Sequence, residues 1–442
     1  MEERKDEKSA LEGGKPVRSE PLPLEFPGAQ HYDQEEVDAV VRVLKSRSPY
    51  RYYGLDPQHE VENFEKEFAT FLGVPHAVAV SSGTGALHVA LSALGVGPGQ
   101  EVIIPAYMWV AVIAAVVNHG AIPVLADIDE TFGLNPAAVE KQITPRTTGI
   151  IAVHMSGAPI DVLEVRKVAR AHNLFLLEDC AQCCGGRVGG QSAGTFGDMG
   201  IYSFQLNKNM TSGEGGCVVT RDERLYRRAV AAQDVGYPRE AKGRLLQDDP
   251  SAQLWGRGYR MDEMRAAVLR VQLRKLPRII ESMHRSKYRV RQALERFPQV
   301  QLRRVVDPAG DTGCFLITTY PDAQTAQDVC RALRAEGIVT YPQGMSNLVM
   351  TDWGLHLYSN NATLLQRASV DGRGFPWNLA ENAESHPSYE RGTCPVADNL
   401  FERSIIISIP SCLTNQDEGE IIAAFEKVLS HIQVASAQGS AR

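Results

Sequence analysis

Between residues 33 and 220, short apolar runs alternate with amphipathic stretches, and this alternation constrains the fold more than any other feature of the sequence. A short, uninterrupted apolar run is typical of a strand that is buried on both faces of a sheet. The runs predict six strands, at residues 77–80, 102–104, 123–126, 149–153, 174–177 and 200–204. Helical patterns separate most of them, and strands joined by helical crossovers run parallel. We therefore predict an α/β fold with a mainly parallel sheet covered by helices on both faces.

A long helical pattern over about residues 261–297 predicts the connection between two domains. Pro277 lies inside it and is expected to bend or interrupt the helix, because proline lacks a backbone N–H and clashes with the preceding turn. We place a large domain at residues 23–284 and a smaller C-terminal α+β domain at residues 285–435. The elements predicted in the smaller domain are a strand at 314–319, a helix at 323–336 and a strand at 404–409.

Three segments have no clear helix or strand pattern. Residues 1–22 are charged from the start and predict a disordered arm, with a short strap onto a neighbouring subunit as the alternative. Residues 344–400 are irregular, aromatic and proline-containing, and a loop-rich segment of that length is often functional. Residues 436–442 are predicted to form a tail.

The charge balance argues against several classes of partner. The chain has 442 residues, 43% of them hydrophobic, and a net charge of −7, so it can bury a large core but has no basic footprint for nucleic acid or an anionic membrane. Its longest apolar run, residues 106–117, is too short to span a bilayer, and the N-terminal residues lack the apolar centre of a signal peptide. We predict a soluble cytoplasmic protein with no nucleic-acid or membrane partner.

Three of the eight cysteines stand close together, at Cys180, Cys183 and Cys184. A zinc site would need a second pair of ligands at suitable spacing, and none is apparent in the sequence. The other cysteines are scattered, mostly among apolar neighbours. We therefore predict free thiols in a reducing compartment and no metal site.

Two segments that follow predicted strands could bind a phosphate and a planar ring. Residues 81–88, SSGTGALH, open a helix; small residues there let backbone N–H groups approach an anion, which the helix N-terminus also attracts. The alternative is a tight helix-start turn. Trp109 ends the segment PAYMW at residues 105–109 and could stack on a ring, although core packing is the commoner role of such an aromatic residue.

Two further segments carry an acid and a lysine. Residues 176–182, LLEDCAQ, place carboxylates at the end of an apolar strand, where open α/β sheets bind ligands. A buried Asp179 needs a partner, which is either a protonated pyridine nitrogen or an arginine in a structural ion pair. Lys208 lies in SFQLNKNMTSGEGG, residues 203–216. Most lysines are solvated surface residues, but one held by a glycine-rich turn suits a Schiff base to pyridoxal 5'-phosphate (PLP). Together the four segments predict PLP chemistry.

The chain resembles the DegT/StrS family of sugar aminotransferases over about residues 28–430, most densely over residues 77–220. The fragments SSGTGALHVAL, VIIPAYMWVA, VHMSGAP, EDCAQ and SFQLNKNMTSGEGG stand in the family's order and spacing. This resemblance implies the fold-type I architecture, with a mainly parallel seven-stranded sheet in the large domain and PLP as the cofactor. It also implies a homodimer with the active site near the subunit interface.

The resemblance implies roles for eight residues. Lys208 matches the lysine that carries PLP as a Schiff base, and Asp179 matches the partner of the pyridine nitrogen; these two are the implied catalytic residues. The other implied cofactor-binding residues are Gly83, Thr84, Gly85 and Ser203 at the phosphate, Trp109 on the ring and Gln182 near the 3'-hydroxyl. A branch of the family has histidine in place of the lysine and performs dehydration, so Lys208 argues against that branch.

Three positions depart from the family pattern. Gly258 replaces an asparagine that normally reaches across the dimer interface towards the phosphate, which puts that contact in doubt. Cys184 and Gln205 each replace a histidine that is common in the family. Both stand near the expected site, so both can reshape its substrate face.

The late fragments FPWN and SYERGTCPVADNLFERSIIISIP resemble the branch that aminates keto-cyclitols, the inosose aminotransferases. The implied reaction is a ping-pong transamination from L-glutamine or L-glutamate to a keto-cyclitol or keto-sugar, in secondary-metabolite or cell-surface sugar biosynthesis. Two other classes stay open: elimination or aromatisation, as in the related aminohydroxybenzoate synthases, and a non-catalytic protein of this fold that acts through its dimer surface. The candidates for the acceptor pocket, with packing and dimer contacts as the alternative, are Tyr52, Tyr53, Trp377, His386 and Tyr389.

Overall fold

Seven strands form the central sheet of the large domain. The computed structural model describes residues 8–239, 243–247, 249–340 and 347–431. The strands of the large domain are β1 His76–Val80, β2 Glu101–Pro105, β3 Ile122–Ala126, β4 Thr147–Val153, β5 Phe175–Asp179, β6 Arg187–Val188, β7 Gln191–Ser192, β8 Met199–Ser203 and β9 Gly216–Thr220. β6 and β7 form a separate hairpin, and the others stand in the order β1-β9-β8-β5-β4-β2-β3. Six of these seven strands run in one direction and β9 runs in the opposite direction, which confirms the prediction of a mainly parallel sheet.

The sequence pattern misses β9 among the seven strands. Its connection from β8, residues 204–215, contains no helix. Without a helical crossover the chain cannot return to start a parallel neighbour, so β9 runs back antiparallel to β8. This connection carries Lys208 and therefore places it at the edge where β8 ends.

Helices cover both faces of the sheet. They are α1 Gln34–Ser46, α2 Glu60–Leu72, α3 Gly83–Leu94, α4 Ala111–Asn118, α5 Pro136–Lys141, α6 Val162–Ala171, α7 Glu223–Gln233 and α8 Glu263–Leu294. The middle of strand β2 is apolar because both of its faces are covered: Val102 and Ile104 pack in the cluster that contains α3 and α4, whereas Ile103 packs on the opposite face with α5 and α6. A strand with two buried faces has no polar side to present.

The smaller domain has a four-stranded antiparallel sheet. Its elements are β10 Gln301–Leu302, β11 Phe315–Thr319, α9 Ala323–Ala335, β12 Asn347–Val349, α10 Ala362–Leu365, α11 Pro395–Arg403, β13 Ser404–Ser408 and α12 Asn415–His431. The strand order is β10-β11-β13-β12, and α9 and α12 share a buried cluster with this sheet. Across the described part of the chain, no helix combines the length and the apolar character that crossing a bilayer requires.

The long helix α8 continues through Pro277, so of the two expected outcomes, a bend or an interruption, the structure excludes the interruption. Leu276 and Ile279 beside the proline are fully buried, one in a cluster of the large domain and the other in the cluster of the small domain. The burial of these two side chains offsets the free energy that the helix loses because proline cannot make its backbone hydrogen bond. The predicted domain boundary after residue 284 falls inside α8, so one helix belongs to both domains.

The segment from β12 to α11 corrects the assignment of residues 285–435 to the small domain. Tyr107, next to the end of β2, forms an isolated β-bridge with Leu357. Tyr389 donates a hydrogen bond of 2.6 Å to the backbone oxygen of Pro123 in β3. Leu357 and Tyr389 belong to the large-domain core cluster, so the irregular segment returns to the large domain and covers it.

Residues 8–22 are packed, which corrects the prediction of a disordered arm for that range. Arg18 forms a salt bridge of 2.7 Å with Asp417 in α12, and Leu22 is buried in the small-domain core. The arm is therefore a strap, but it lies on the small domain of its own chain. Residues 1–7 and the predicted tail at 436–442 lie outside the described residues.

The strap is held by one buried carboxylate, Glu336. It accepts hydrogen bonds from the backbone N–H groups of Ala10 (2.8 Å) and Val17 (3.0 Å) and forms a salt bridge of 3.0 Å with Lys427. We expect Glu336→Gln to lower the free energy of unfolding by about 2–4 kcal/mol, because the largely buried side chain of Lys427 loses its counter-charge. Urea unfolding should show a lower midpoint, whereas Glu164→Gln, at an exposed surface pair, should shift stability by no more than about 0.5 kcal/mol. Equal midpoints for both variants would contradict this role of Glu336.

Candidate active site

The carboxyl ends of four strands converge on one cavity. β1, β2, β5 and β8 end at the same edge of the sheet, and the loops that follow them carry the four segments singled out in the sequence. The main cavity there has a volume of about 660 Å³. Seven predicted site residues line it: Gly83, Thr84, Trp109, Asp179, Gln182, Ser203 and Lys208. Separate stretches of sequence thus meet where parallel sheets bind ligands.

The predicted phosphate segment forms a tight turn at the start of α3. Ser82 caps the helix by accepting a hydrogen bond of 3.0 Å from the N–H of Gly85, so Gly85 supports the turn and is not among the residues that line the cavity. A Cβ at Gly83 would lie 2.6 Å from the Cβ of Ser203. The turn and β8 are therefore too close for any side chain at position 83, which leaves backbone N–H groups and the Ser203 hydroxyl facing the helix N-terminus.

Asp179, the last residue of β5, is buried beside this turn. Its Oδ1 accepts a hydrogen bond of 2.9 Å from the N–H of Ala181. Burial raises the pKa of Asp179, and the Ala181 hydrogen bond and the charge of Lys208 offset this only in part. Among the described residues no salt bridge reaches the carboxylate, which argues against the structural ion pair with arginine that the sequence left open.

Glu178, one residue earlier, points to the opposite face and has a different role. It accepts backbone hydrogen bonds from Gly194 (2.8 Å), Phe196 (2.6 Å) and Gly197 (2.7 Å). His154 accepts from the N–H of Ile160 through Nδ1, so its Nε2–H donates to Glu178 at 3.0 Å. Glu178 therefore holds the loop that follows β7.

His154 and Glu178 also approach Cys180 closely enough to resemble a metal-ligand set. Both ring nitrogens of His154 and both oxygens of Glu178 are already hydrogen-bonded to the protein. Burial raises the pKa of the Cys180 thiol far above its ordinary value, which favours the protonated form that does not bind metal. All eight cysteines are free thiols.

Lys208 lies between the main cavity and a second space. This side chamber of about 230 Å³ lies between the two domains, and its walls are Glu25, Phe26, Pro27, Ala181, Gln182, Cys184, Asn207, Lys208, Asn209, Cys314, Phe315, Trp353, His356 and Ile409. Burial lowers the pKa of Lys208, and the neighbouring charge of Asp179 opposes that shift. A larger fraction of the amine is therefore unprotonated and nucleophilic than in a surface lysine.

Sequence patterns did not identify Trp353 and His356, which line both spaces. The His356 ring lies 4.7 Å from the ring of Trp109 and 4.9 Å from that of Trp353, measured between centroids. Its Nε2 lies 3.3 Å from the side-chain nitrogen of Gln182. The one available signal was the irregular segment 344–400, which was expected to be functional but has no periodicity that singles out a residue.

The structure does not bring the five acceptor-pocket candidates to this cavity. Tyr389 bonds to Pro123 near the start of β3, and Trp377 packs against Tyr389. His386 is exposed next to Ser385, which bonds to Glu101 at the start of β2. Trp377, His386 and Tyr389 therefore lie at the amino edge of the sheet, opposite the candidate active site. Tyr52 lines a different cavity and accepts a bond from Gln233, and Tyr53 is exposed and packs on Tyr50. Within this chain, packing is the role that the structure supports for Trp377 and Tyr389.

The three departures from the family pattern lie in different places. Gln205 lines the main cavity, and Cys184 lines the side chamber. Gly258 has a φ of +70°, and a Cβ there would meet nothing within 4 Å. It is outside the residues that line either space in its own chain.

Fold and cavity together define a two-domain α/β protein whose candidate active site pairs a half-buried lysine with a buried aspartate at the carboxyl edge of the sheet. Residues 30–349 match the profile of the DegT/DnrJ/EryC1/StrS aminotransferase family. The chain is also 35% identical over 331 residues to the GDP-perosamine synthase of Caulobacter vibrioides, an alignment that covers 72% of this chain and 84% of the relative. The chain belongs to the DegT/DnrJ/EryC1/StrS aminotransferase family.

A second relative is the L-glutamine:2-deoxy-scyllo-inosose aminotransferase of Streptoalloteichus tenebrarius. It is 40% identical over 277 residues, which is 60% of this chain; the alignment spans 63% of the relative, less than two thirds of its length. Among solved structures, 3-amino-5-hydroxybenzoic acid synthase superposes with a TM-score of 0.73 at 27% identity, over 93% of this chain and 98% of the other. The resemblance seen in the sequence is confirmed at the level of family and fold.

Proposed function

We propose that this protein is a PLP-dependent aminotransferase. The observation that carries the proposal is the placement of Lys208 and Asp179 on one cavity, beside a turn at Gly83 that admits no Cβ. Each of these fits a different part of PLP: the turn at the N-terminus of α3 suits the phosphate, Asp179 a protonated ring nitrogen, and Lys208 the aldehyde. PLP, when bound, supplies that aldehyde and a ring that accepts electrons from the bond being broken.

The two charged residues have complementary tasks in this proposal. A cation beside the buried Asp179 carboxylate lowers its pKa again, so the carboxylate is ionised and keeps the proton on the ring nitrogen. Lys208 Nζ, whose pKa is lowered by burial, takes the proton from the α-carbon of the amino donor. It returns a proton at the carbon of the acceptor that receives the amino group. The residues proposed to hold the cofactor are Gly83, Thr84 and Ser203 at the phosphate, Trp109 over the ring and Gln182 at the 3'-oxygen; Gly85 supports the phosphate turn through its hydrogen bond to Ser82.

We propose a keto-cyclitol as the acceptor, or else a keto-sugar, with L-glutamine favoured over L-glutamate as the donor. The inosose aminotransferase relative is named for L-glutamine and an inosose. The charges that line the two spaces support an acceptor without a diphosphate. Lys208 is the one lysine or arginine among the described residues that line them, whereas Glu214 and Asp352 are acids of the main cavity and Glu25 is one of the side chamber. A nucleotide diphosphate would meet more negative than positive charge there.

The acceptor experiment uses enzyme whose cofactor has first been converted to the amine form with L-glutamine. Keto-cyclitols including 2-deoxy-scyllo-inosose, free keto-sugars and nucleotide-linked keto-sugars are added separately. We expect the visible absorbance of PLP to return fastest with a keto-cyclitol, and ¹⁵N from the α-amino group of labelled glutamine to appear in the product. A product that has lost water or become aromatic without gaining that nitrogen would instead favour the synthase-like function, which the fold shared with 3-amino-5-hydroxybenzoic acid synthase keeps as the second candidate.

The turn at Gly83 gives a prediction about cofactor affinity. We expect Gly83→Ala to weaken PLP binding about 10- to 100-fold, because the new methyl group meets Ser203 and pushes the turn out of position. Gly97→Ala is the matched control: a Cβ there meets nothing within 4 Å, so the affinity should not change. The measurement is a titration of apoenzyme with PLP followed by absorbance. An unchanged dissociation constant for Gly83→Ala would remove the turn from the proposed phosphate site.

We further propose a homodimer in which a second copy covers the mouth of the cavity. Trp109 and Leu355 line the cavity yet are 44% and 42% exposed in the single chain. Large apolar side chains around a polar site are typical of a surface that another subunit covers. Sedimentation should therefore give about twice the mass of the chain. The eight free cysteines support a reducing compartment, and we propose the cytoplasm.

A further inference from the structure

The His356 ring is held in one tautomer. Its Nδ1 lies 2.8 Å from the backbone oxygen of Trp353, and a carbonyl oxygen only accepts, so Nδ1 carries the hydrogen. Burial, with a contribution from the charge of Lys208, lowers the pKa of His356 to about 4, so the ring is neutral near pH 7. Nε2 is then an acceptor.

The Gln182 amide is held in one orientation by its two ends. Its Oε1 accepts a hydrogen bond of 2.9 Å from the N–H of Ser156, which identifies the other end as the nitrogen. That nitrogen lies 3.3 Å from His356 Nε2, so Gln182 donates one hydrogen to the histidine. An amide nitrogen has two hydrogens, and the second remains to be donated elsewhere. Gln182 lines the main cavity, which is where that donor can serve a ligand.

The loop that carries Ser156, the partner of Gln182 Oε1, is held by further hydrogen bonds that do not involve Gln182. The Ser156 hydroxyl and the Tyr107 hydroxyl are 2.7 Å apart. Buried Arg303, from the small-domain side, donates hydrogen bonds to the backbone oxygens of Met155 (3.0 Å) and Thr131 (2.7 Å). The Oε1 end of Gln182 is therefore anchored to a fixed support, and His356 is the contact that directs the nitrogen end.

The imidazole of His356 also contacts two aromatic residues that line the cavity. The His356 ring packs between Trp109 and Trp353, with interplanar angles of 47° and 51°. His356 thus joins a residue proposed to cover the cofactor ring to a residue proposed to face its 3'-oxygen. Trp109 and Gln182 follow different strands, β2 and β5, so a residue adjacent to one of them in sequence could not link both.

We propose that His356 is a positioning residue, which fixes the Gln182 amide as a hydrogen-bond donor to the cofactor oxygen and limits the tilt of the Trp109 ring. This inference rests on the PLP function proposed above. Gln182 is the group that touches the cofactor, and His356 acts through it.

The test compares His356→Phe, Gln182→Ala and the double variant with the wild type, each loaded with PLP. Phenylalanine keeps a flat ring beside Trp109 but removes the acceptor. The readouts are the PLP dissociation constant and the pH midpoint at which the visible absorption band of the bound cofactor changes. The charged groups around this space, Asp179, Lys208, Glu214, Asp352 and Glu25, are the same in all four proteins, so their influence on the midpoint cancels.

We expect His356→Phe to raise the midpoint by about one pH unit. Loss of a proton from the bound cofactor leaves negative charge on the oxygen that Gln182 faces, and a fixed N–H donor stabilises that charge. Without His356 the donor is no longer held, so the proton is lost at higher pH. Gln182→Ala should give a similar rise, and the double variant should show no further rise, because His356 acts through Gln182. His356→Gln, which restores an acceptor without the ring, should bring the midpoint back towards the wild-type value.

An unchanged midpoint in a folded His356→Phe variant would overturn the inference, and so would rises that add fully in the double variant. If the wild type takes up no PLP, the proposed function fails together with this inference. If the wild type binds PLP and transaminates while His356→Phe titrates as the wild type does, only the role of His356 fails.

Discussion

The Lys208→Ala variant is expected to transaminate at least about 10,000-fold more slowly than the wild type, measured as kcat. The reason is that the change removes both the amine that joins the cofactor and the base that moves the proton. The fold should survive, because the backbone oxygen of Lys208 still accepts the hydrogen bond of 3.1 Å from Gly28. Borohydride reduction followed by peptide mass spectrometry should place the cofactor on the peptide of residue 208 in the wild type and leave it off in the variant.

A control variant and a chemical rescue test whether the loss of activity in Lys208→Ala is specific to this lysine. Lys66→Ala, at an exposed lysine of α2, should keep full activity, which separates loss of the site from loss of any lysine. Added methylamine should restore part of the activity of Lys208→Ala, because a small amine can occupy the vacated space and move the proton. Full transamination by Lys208→Ala without added amine would refute the assignment.

The Asp179→Asn variant is expected to lose about 1,000-fold in kcat, which corresponds to about 4 kcal/mol of transition-state stabilisation. An amide can still accept the hydrogen bond from Ala181, but it cannot hold a proton on the ring nitrogen by opposite charge. The stability of the cofactor-free protein should be unchanged or higher, since no salt bridge among the described residues reaches the buried carboxylate and its pKa is raised despite the nearby charge of Lys208. Steady-state kinetics and thermal unfolding of the same preparations measure both effects.

Glu178→Gln is the matched control at the adjacent carboxylate. It loses the charge that accepts four N–H donors, one of them from His154, so we expect the free energy of unfolding to fall by about 3–5 kcal/mol. The two variants therefore distinguish an effect on catalysis from an effect on folding. Asp179→Asn should lower kcat, and Glu178→Gln should lower the free energy of unfolding. If Asp179→Asn destabilised the protein as much as Glu178→Gln and left kcat unaltered, Asp179 would be a structural residue.

The sequence predicted those features of the fold that repeat along the chain. Six strands of the large sheet follow from apolar runs, because the middle of a strand that is buried on both faces is apolar and its polar residues stand at the ends. β9 could not be predicted in the same way, since its direction depends on the absence of a crossover helix and on pairing with β1 and β8. The strap at residues 8–22 was misjudged because its order comes from partners far along the chain, such as Glu336 and Asp417.

The candidate site divides in a similar way. Lys208, Asp179 and the Gly83 turn are visible in the sequence because each stands at the end of a strand or shortly after it, and the ends of parallel strands meet at one edge. His356 and Trp353 belong to a segment without periodicity that reaches the site only by folding back across the large domain. The same folding takes Trp377, His386 and Tyr389 to the opposite edge, which the aromatic composition of the segment could not reveal.

By itself the sequence determined the α/β architecture, the family and the residues with which a PLP site would be built. Those properties depend on local patterns: apolar runs, helix starts and the residue that follows a strand. Tertiary structure alone decided that, within the described residues, no salt bridge reaches Asp179 while Glu178 accepts four hydrogen bonds, that His356 directs Gln182, and that Trp377, His386 and Tyr389 lie far from Lys208. Burial, hydrogen-bond orientation and charge environment depend on segments that are distant in sequence, and only the folded chain brings those segments together.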